Sequence, residues 1–202
     1  DRLLLQSYST DSGKLLWTRN FWATGRPYTH PASSNAAPSP VSDGRFIVAF
    51  FSSNDLVCTD RDGNLQWFRG LAHDYPKTGN DIGMAASPII AGNVVVAQLE
   101  NQGDSYAVGV DIRTGEELWL VERDPRANWS SPVVRKRADG EYTVILSSPG
   151  TGIKALDSKT GNELWSYKAS CGSNTSPLIV DDVLYISANG TTALQLNPAG
   201  TT

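Results

Sequence analysis

The stretch Asp157-Ser-Lys-Thr-Gly-Asn-Glu-Leu-Trp165 decides the fold, because 202 residues contain three more versions of it. These are Asp111-Ile-Arg-Thr-Gly-Glu-Glu-Leu-Trp119, Asp60-Arg-Asp-Gly-Asn-Leu-Gln-Trp67 and Ser9-Thr-Asp-Ser-Gly-Lys-Leu-Leu-Trp17, each with Gly four residues before Trp. The tryptophans are spaced by 50, 52 and 46 residues. A second marker, Ser-Pro, recurs at Pro40, Pro88, Pro132 and Pro177 with spacings of 48, 44 and 45. Two independent markers with one period establish a tandem repeat.

One period contains four short strands. After Ser-Pro comes an apolar stretch such as Ile89-Ile90 or Val133-Val134, then a turn rich in Asp, Gly and Asn, as at Asp43-Gly44 and Gly92-Asn93. That is hairpin chemistry. A near-continuous apolar run follows, for example Phe46 to Phe51 or Val94 to Ala97, a pattern that implies burial on both faces. A third strand ends at the motif Asp, the Gly turns the chain, and the fourth strand carries the Trp. Glu116 to Arg123 alone has good helix formers throughout. Its repeat partners Leu15 to Asn20 and Glu163 to Lys168 contain β-branched or aromatic residues and are too short for a stable helix, so the segment is assigned as strand. Four-stranded units of this period predict an all-β chain, a β-propeller of antiparallel blades.

Ala155-Leu-Asp-Ser-Lys-Thr-Gly-Asn-Glu-Leu-Trp165 resembles the tryptophan-docking repeat of the pyrroloquinoline-quinone (PQQ) type propellers, a family that includes quinoprotein dehydrogenases and BamB-type outer-membrane assembly proteins. Residues 109 to 119 match with Gly109 in place of Ala. The segments Glu100 to Ser105 and Arg126 to Pro132 are also similar to uncharacterised planctomycete-type PQQ-like repeat proteins. The resemblance implies that Trp17, Trp67, Trp119 and Trp165 dock on the neighbouring blade's turn. It also implies that Asp111 and Asp157, with Gly115 and Gly161, shape those turns. Ser9 at the Asp position and a residue missing before Gly63 imply looser turns in the first two copies.

Strand counting gives about four and a half blades: residues 1–21 end a blade, 39–71, 87–123 and 131–169 are full blades, and 176–202 is a partial one. The resemblance implies a ring of roughly seven or eight blades, so the chain is expected to be part of a longer protein. Remaining blades, or a second copy, would cover the open edges; a small closed ring would leave one strand surplus. A net charge of -4 without a basic block argues against nucleic acid. The longest apolar runs are far below the ~20 residues of a membrane helix. Cys58 and Cys171 stand far apart without a CxxC or Cys-His pattern, which argues against a zinc site, and Cys58 in an apolar strand reads as a small hydrophobe.

In such a blade the longer connections open on one face and the Asp-x-x-Thr-Gly turns on the other. The loop face therefore offers the candidate binding residues Tyr28, His30, His73, Asp74, Tyr75, Lys77, Asn80, Asp81, Glu100, Asn101, Asp104, Arg126, Asn128 and Trp129. Their mix of aromatic, amide and charged groups suits a protein or small ligand; an ordinary solvated loop face is the alternative. No catalytic residue is assigned, since no nucleophile, base and orienting acid fall together. No metal site is assigned either, although Glu100, Asn101 and Asp104 are donors of the type calcium accepts. The resemblance implies a non-catalytic binding or scaffold propeller of the periplasm or cell surface, without a cofactor. Its alternative is part of a PQQ-dependent quinoprotein dehydrogenase with PQQ and calcium, although the adjacent cysteines of those enzymes are missing.

Overall fold

The structure, a computed structural model, describes residues 2–26, 29–78 and 83–197. Among them, 17 antiparallel strands make five sheets. The first sheet is β1 (Arg2–Tyr8) with β2 (Leu15–Trp22). A four-stranded sheet follows, formed by β3 (Val41–Ser42), β4 (Phe46–Phe51), β5 (Asp55–Asp60) and β6 (Leu65–Gly70). The next holds β7 (Ile89–Ala91), β8 (Val94–Leu99), β9 (Ser105–Asp111) and β10 (Glu117–Arg123). Then come β11 (Val133–Lys136), β12 (Tyr142–Ser148), β13 (Gly152–Asp157) and β14 (Glu163–Tyr167). The last sheet is β15 (Leu178–Val180), β16 (Val183–Ser187) and β17 (Thr191–Gln195).

Each sheet runs in chain order, strand pairing with the next strand. The first strands β3, β7, β11 and β15 touch in sequence, so the sheets stand side by side around a common inner edge. These are propeller blades. The segment that resembles a helix by composition, Glu117–Arg123, is strand β10. Among the described residues one helical turn, α1 (Leu71–Asp74), begins where the chain leaves β6. Leu71 is fully buried there and its amide donates to Asn54 O at 2.8 Å, which pulls the chain inward into a turn within what the sequence presents as loop.

The core is four apolar layers, each between consecutive sheets. Leu3, Leu5, Phe51 and Val57 fill the first; Phe50, Leu56, Leu99, Val108 and Ile112 the second. Val96, Trp119, Leu146 and Leu156 fill the third, and Ile145, Ile153, Trp165 and Leu184 the fourth. Because β8 and β12 are covered on both faces, their interiors need no alternation, and Val94 to Leu99 are all buried.

The repeat motif accounts for how the layers are locked. Three of the four motif indoles lie against the turn glycine of the next blade: a Cβ added at Gly63, Gly115 or Gly161 would fall 2.7, 2.7 or 2.8 Å from Trp17, Trp67 or Trp119 respectively, while Trp165 meets no such glycine among the described residues. The N–H of each of these three donates to the carbonyl just after the motif acid or its equivalent: Trp17 to Arg61 O at 2.9 Å, Trp67 to Ile112 O and Trp119 to Ser158 O, both at 2.8 Å, whereas Trp165 Nε1 has no partner among the described residues. Small residues lie opposite the indoles across the strand pair, namely Ser7, Cys58, Gly109 and Ala155. At Gly109 a Cβ would come within 2.2 Å of Trp119, which explains the departure from Ala. The register slips by one residue at every one of these pairings, a β-bulge at the residue before each Trp that turns the indole toward the next blade. The bulged Leu16, Leu118 and Leu164 accordingly face solvent.

The motif acid holds the turn. Asp111 Oδ1 accepts from the amides of Arg113 and Thr114 at 2.7 and 3.1 Å, and Asp157 Oδ1 from those of Lys159 and Thr160 at 3.0 and 3.1 Å. The shorter Asp60 turn is as well bonded, accepting from Asp62 and Asn64 amides at 2.9 and 2.8 Å. Ser9, with one amide contact at 3.3 Å, makes the weaker turn. The Ser-Pro marker has a role as well. The amides of Ser39, Ser87 and Ser131 donate to the hydroxyls of Ser87, Ser131 and Ser176, each at 2.9 Å, so one serine per blade links the inner ends in series.

Candidate functional site

The loop face is built from the connections between blades and the β4–β5, β8–β9 and β12–β13 turns. Of the candidate residues, Tyr28, Asn80 and Asp81 lie outside the described residues. The two histidines do not meet a common partner. His30 is exposed and its Nδ1 accepts from the amide of Ala32 at 3.1 Å, while His73 is exposed with Nδ1 3.9 Å from Asp74 Oδ1.

Glu100 and Asn128 are turned inward, into the layer between β7–β10 and β11–β14. Glu100 Oε1 accepts from Arg123 Nε at 2.6 Å and from Gln98 Nε2 at 2.8 Å; its Oε2 accepts from Asn128 Nδ2 at 2.9 Å. Both amides also donate to Ser147 O, at 3.0 and 2.7 Å. The side chains of Glu100 and Arg123 are fully buried. Asn101 fixes its own loop, its Oδ1 accepting from Gly103 N at 2.7 Å. Trp129 is a latch between three connections: Nε1 donates to Gly83 O at 2.9 Å and the backbone amide to Ser173 O at 2.8 Å. Arg126 lies beside Gly150, where an added Cβ would stand 3.2 Å from Arg126 Cδ.

These contacts bear on calcium at the three oxygen donors named from sequence. Both Glu100 oxygens and Asn101 Oδ1 already accept protein hydrogen bonds, and Asp104 is exposed, so the three do not converge as one donor set. The described residues also contain no group of three or more His, Cys, Asp or Glu side chains placed to hold a metal ion.

What the structure does gather is Asp74, Tyr75, Lys77 and Asp104, around a cavity of about 730 Å³ between the end of α1 with its following segment and the β7–β10 sheet. Tyr106, Leu120, Glu122 and Arg123 also line it. The rings of Tyr75 and Tyr106 are 4.6 Å apart and tilted by 49°. The Tyr75 hydroxyl donates to Glu117 Oε2, and Arg69 ties Asp74 and Glu117 at 2.9 and 3.3 Å. Burial first, then the bond to Glu117, pushes the Tyr75 phenol up to about 12, so it stays a donor at neutral pH. Asp104 N donates to Lys77 O at 3.2 Å, joining the two loops at the rim. Sequence reasoning missed Arg123, Tyr106 and Glu122. Arg123 had a signal, an arginine two and four residues beyond Val121 and Trp119 on a buried strand face.

Blades locked by indoles across their turns, with a loop face on the opposite side, define a tryptophan-docked β-propeller. The model of the family described as outer membrane protein assembly factor BamB matches residues 1–201, and the chain belongs to that family. Among solved structures it is similar to BamB from Moraxella catarrhalis, with a TM-score of 0.69 and 20% identity, over 95% of this chain and 52% of that one. The quinohemoprotein alcohol dehydrogenase from Comamonas testosteroni shares the fold at TM-score 0.60 and 12% identity, over 96% of this chain and 40% of that one. The computationally designed Ika4 protein does so at 0.57 and 16%, over 86% of this chain and 100% of that one. The chain thus spans about half the length of the first of these proteins. A search of curated proteins finds no match.

Proposed function

We propose that this chain is part of a binding-scaffold propeller of the BamB type, acting in the periplasm or at the cell surface, whose loop face meets a protein or a small ligand without chemistry of its own. The observation that supports this most is the destination of the loop face's buried polar groups. Glu100, Asn101, Asn128 and Trp129 hold blades and loops together, and no nucleophile is paired with a base among them. The family's described role in outer-membrane assembly supports a place outside the cytoplasm. No helix among the described residues is long and apolar enough to cross a membrane.

The two outer sheets expose apolar side chains, Leu4, Leu15 and Trp22 on one and Leu178 and Val180 on the other. Further blades, or a second copy, would bury these faces as the inner blades bury theirs. The test is to supply the protein with its flanking blades with PQQ and calcium and assay dye-linked oxidation of alcohols and sugars. The expected result is no turnover above the protein-free control. Dye reduction would replace the scaffold reading with a quinoprotein dehydrogenase.

A further inference from the structure

We propose that the turn of residues 9–13 is a docking site for a tryptophan indole of a further blade of the same protein, supplied from outside these 202 residues, and that this blade covers the free face of the β1–β2 sheet. The proposal goes beyond the scaffold reading and does not depend on it, because it holds whatever the loop face binds. Its ground is the repeat. Gly63, Gly115 and Gly161, with φ of +78, +73 and +71, each carry the indole of the preceding blade. Gly13 has the same left-handed conformation, φ +65, and no described residue comes within 4 Å of a Cβ built there. The turn around it is bonded in the same way. Ser9 N donates to Lys14 O at 2.9 Å and Gly13 N to Ser9 O at 2.8 Å, as Asp111 N does to Glu116 O and Gly115 N to Asp111 O, both at 2.8 Å. Thr10 O thereby takes the place of Ile112 O, the acceptor of the Trp67 indole N–H.

Two further observations say what arrives with the indole. Arg19 and Arg69, each two residues after a docked Trp, donate to the carbonyls of Gly63 and Gly115 at 2.5 and 3.0 Å, so Gly13 O is the equivalent acceptor for an arginine two residues beyond the incoming Trp. The face below the turn also has the pattern of a blade interface. Leu4, Gln6 and Tyr8 alternate with the buried Leu3 and Leu5 on β1, at the places that Tyr106, Val108 and Val110 hold on β9. Those three are buried in the layer shared with β3–β6, whereas Leu4 and Tyr8 are 52% and 53% exposed. A second copy of this chain has no matching indole to offer. Trp17, Trp67 and Trp119 are docked, Trp165 is buried between the last two sheets, and Trp129 donates to Gly83 O. Trp22 is exposed, but it lies at the end of β2 away from the turn, on the sheet that is to be covered. The chain covers 52% of BamB from Moraxella catarrhalis, so a protein of that length has further blades to supply the indole.

The experiment uses the protein with its flanking blades. Gly13→Ala should lower the melting temperature as much as Gly161→Ala does, and by several degrees more than Gly140→Ala, where an added methyl meets nothing. Leu4→Cys should stay unmodified by iodoacetamide in the native protein at pH 8, at every protein concentration, under conditions that alkylate Leu118→Cys on its exposed bulge. Mass spectrometry of the peptides that contain positions 4 and 118 reads this directly. Replacing the motif Trp of the adjoining blade by Leu should erase the extra loss in Gly13→Ala. Equal losses in Gly13→Ala and Gly140→Ala, or alkylation of Leu4→Cys as fast as Leu118→Cys, would each overturn the proposal. Protection of Leu4→Cys that disappears on dilution would mean that a second copy covers the face, and would overturn the assignment to a blade. None of these readouts involves dye reduction or ligand binding, so failure here and failure of the scaffold reading are distinguishable.

Discussion

Trp119 lies flat on Gly161 of the following blade, so close that a Cβ at 161 would stand 2.8 Å from indole Cδ2, while its Nε1 donates to Ser158 O at 2.8 Å. Gly161 also has φ +71, where an L side chain is strained. Gly161→Ala therefore carries two costs, the left-handed backbone at about 1 to 2 kcal/mol and the displaced indole. Gly140→Ala, with φ +88 and nothing within 4 Å, carries only the first. The expected drop in melting temperature is larger for Gly161→Ala by several degrees, and equal drops would show that the indole does not need that approach.

The Asp157 carboxyl gives a pH dependence. Burial raises its pKa, but hydrogen bonds from Arg137, Thr160 and Lys159 outweigh that and hold it below the ordinary 3.8. The folded value is below the unfolded one, so the stabilisation is complete above about pH 5 and is lost as the pH falls through the folded value. Asp111, held down by Arg113 and Thr114 amides against its own burial, acts in the same direction. Thermal melts from pH 7 to pH 3 should be flat and then fall, and Asp157→Asn should melt lower at neutral pH with a shallower acid decline.

The architecture was legible because the features that lock a propeller are local in sequence. The Gly and Trp of one motif act on different neighbours, yet both recur with the blade period, so reading one copy against the others revealed strands, turns and docking residues together. Composition alone misled at Glu117–Arg123, where the neighbouring blades decide the conformation. The candidate site was less legible, because a residue's place on the loop face does not fix its direction. Glu100 and Asp104 are four residues apart, yet one is buried against Arg123 and the other lines an open cavity. Tyr106 reads as a core residue of an apolar strand and became part of the cavity only once β9 faced α1 and its following loop.

Cys58 lies opposite Trp67, and burial first, then nearby Asp43 and Asp60, pushes its thiol up to about 12. Thiolate is the reactive form, so native protein at pH 8 should leave Cys58 unmodified by iodoacetamide, and mass spectrometry should find it alkylated only after unfolding. Modification of native protein at the rate of a free cysteine would mean that this layer opens readily. Cys58→Ala should be tolerated at a cost of about 1 kcal/mol, since Ala155 occupies the equivalent place in a later blade.

The pair of Glu100 and Arg123 should show that a buried ion pair can be expensive to break and cheap to replace. Glu100→Leu leaves a guanidinium with no exposed side-chain surface and no countercharge, and Arg123→Met leaves the carboxylate in the same position, so each single change should cost about 3 to 5 kcal/mol. The double variant should cost much less than the sum. Gln98 and Asn128 keep an acceptor in Ser147 O after Glu100 is gone, and the Arg123 Nη groups, which have no partner among the described residues, disappear with the guanidinium. Denaturant unfolding of all four proteins measures the coupling directly. Additive losses would mean that the two charges stabilise the layer through separate contacts, with Asn128 rather than Arg123 as the main partner of Glu100.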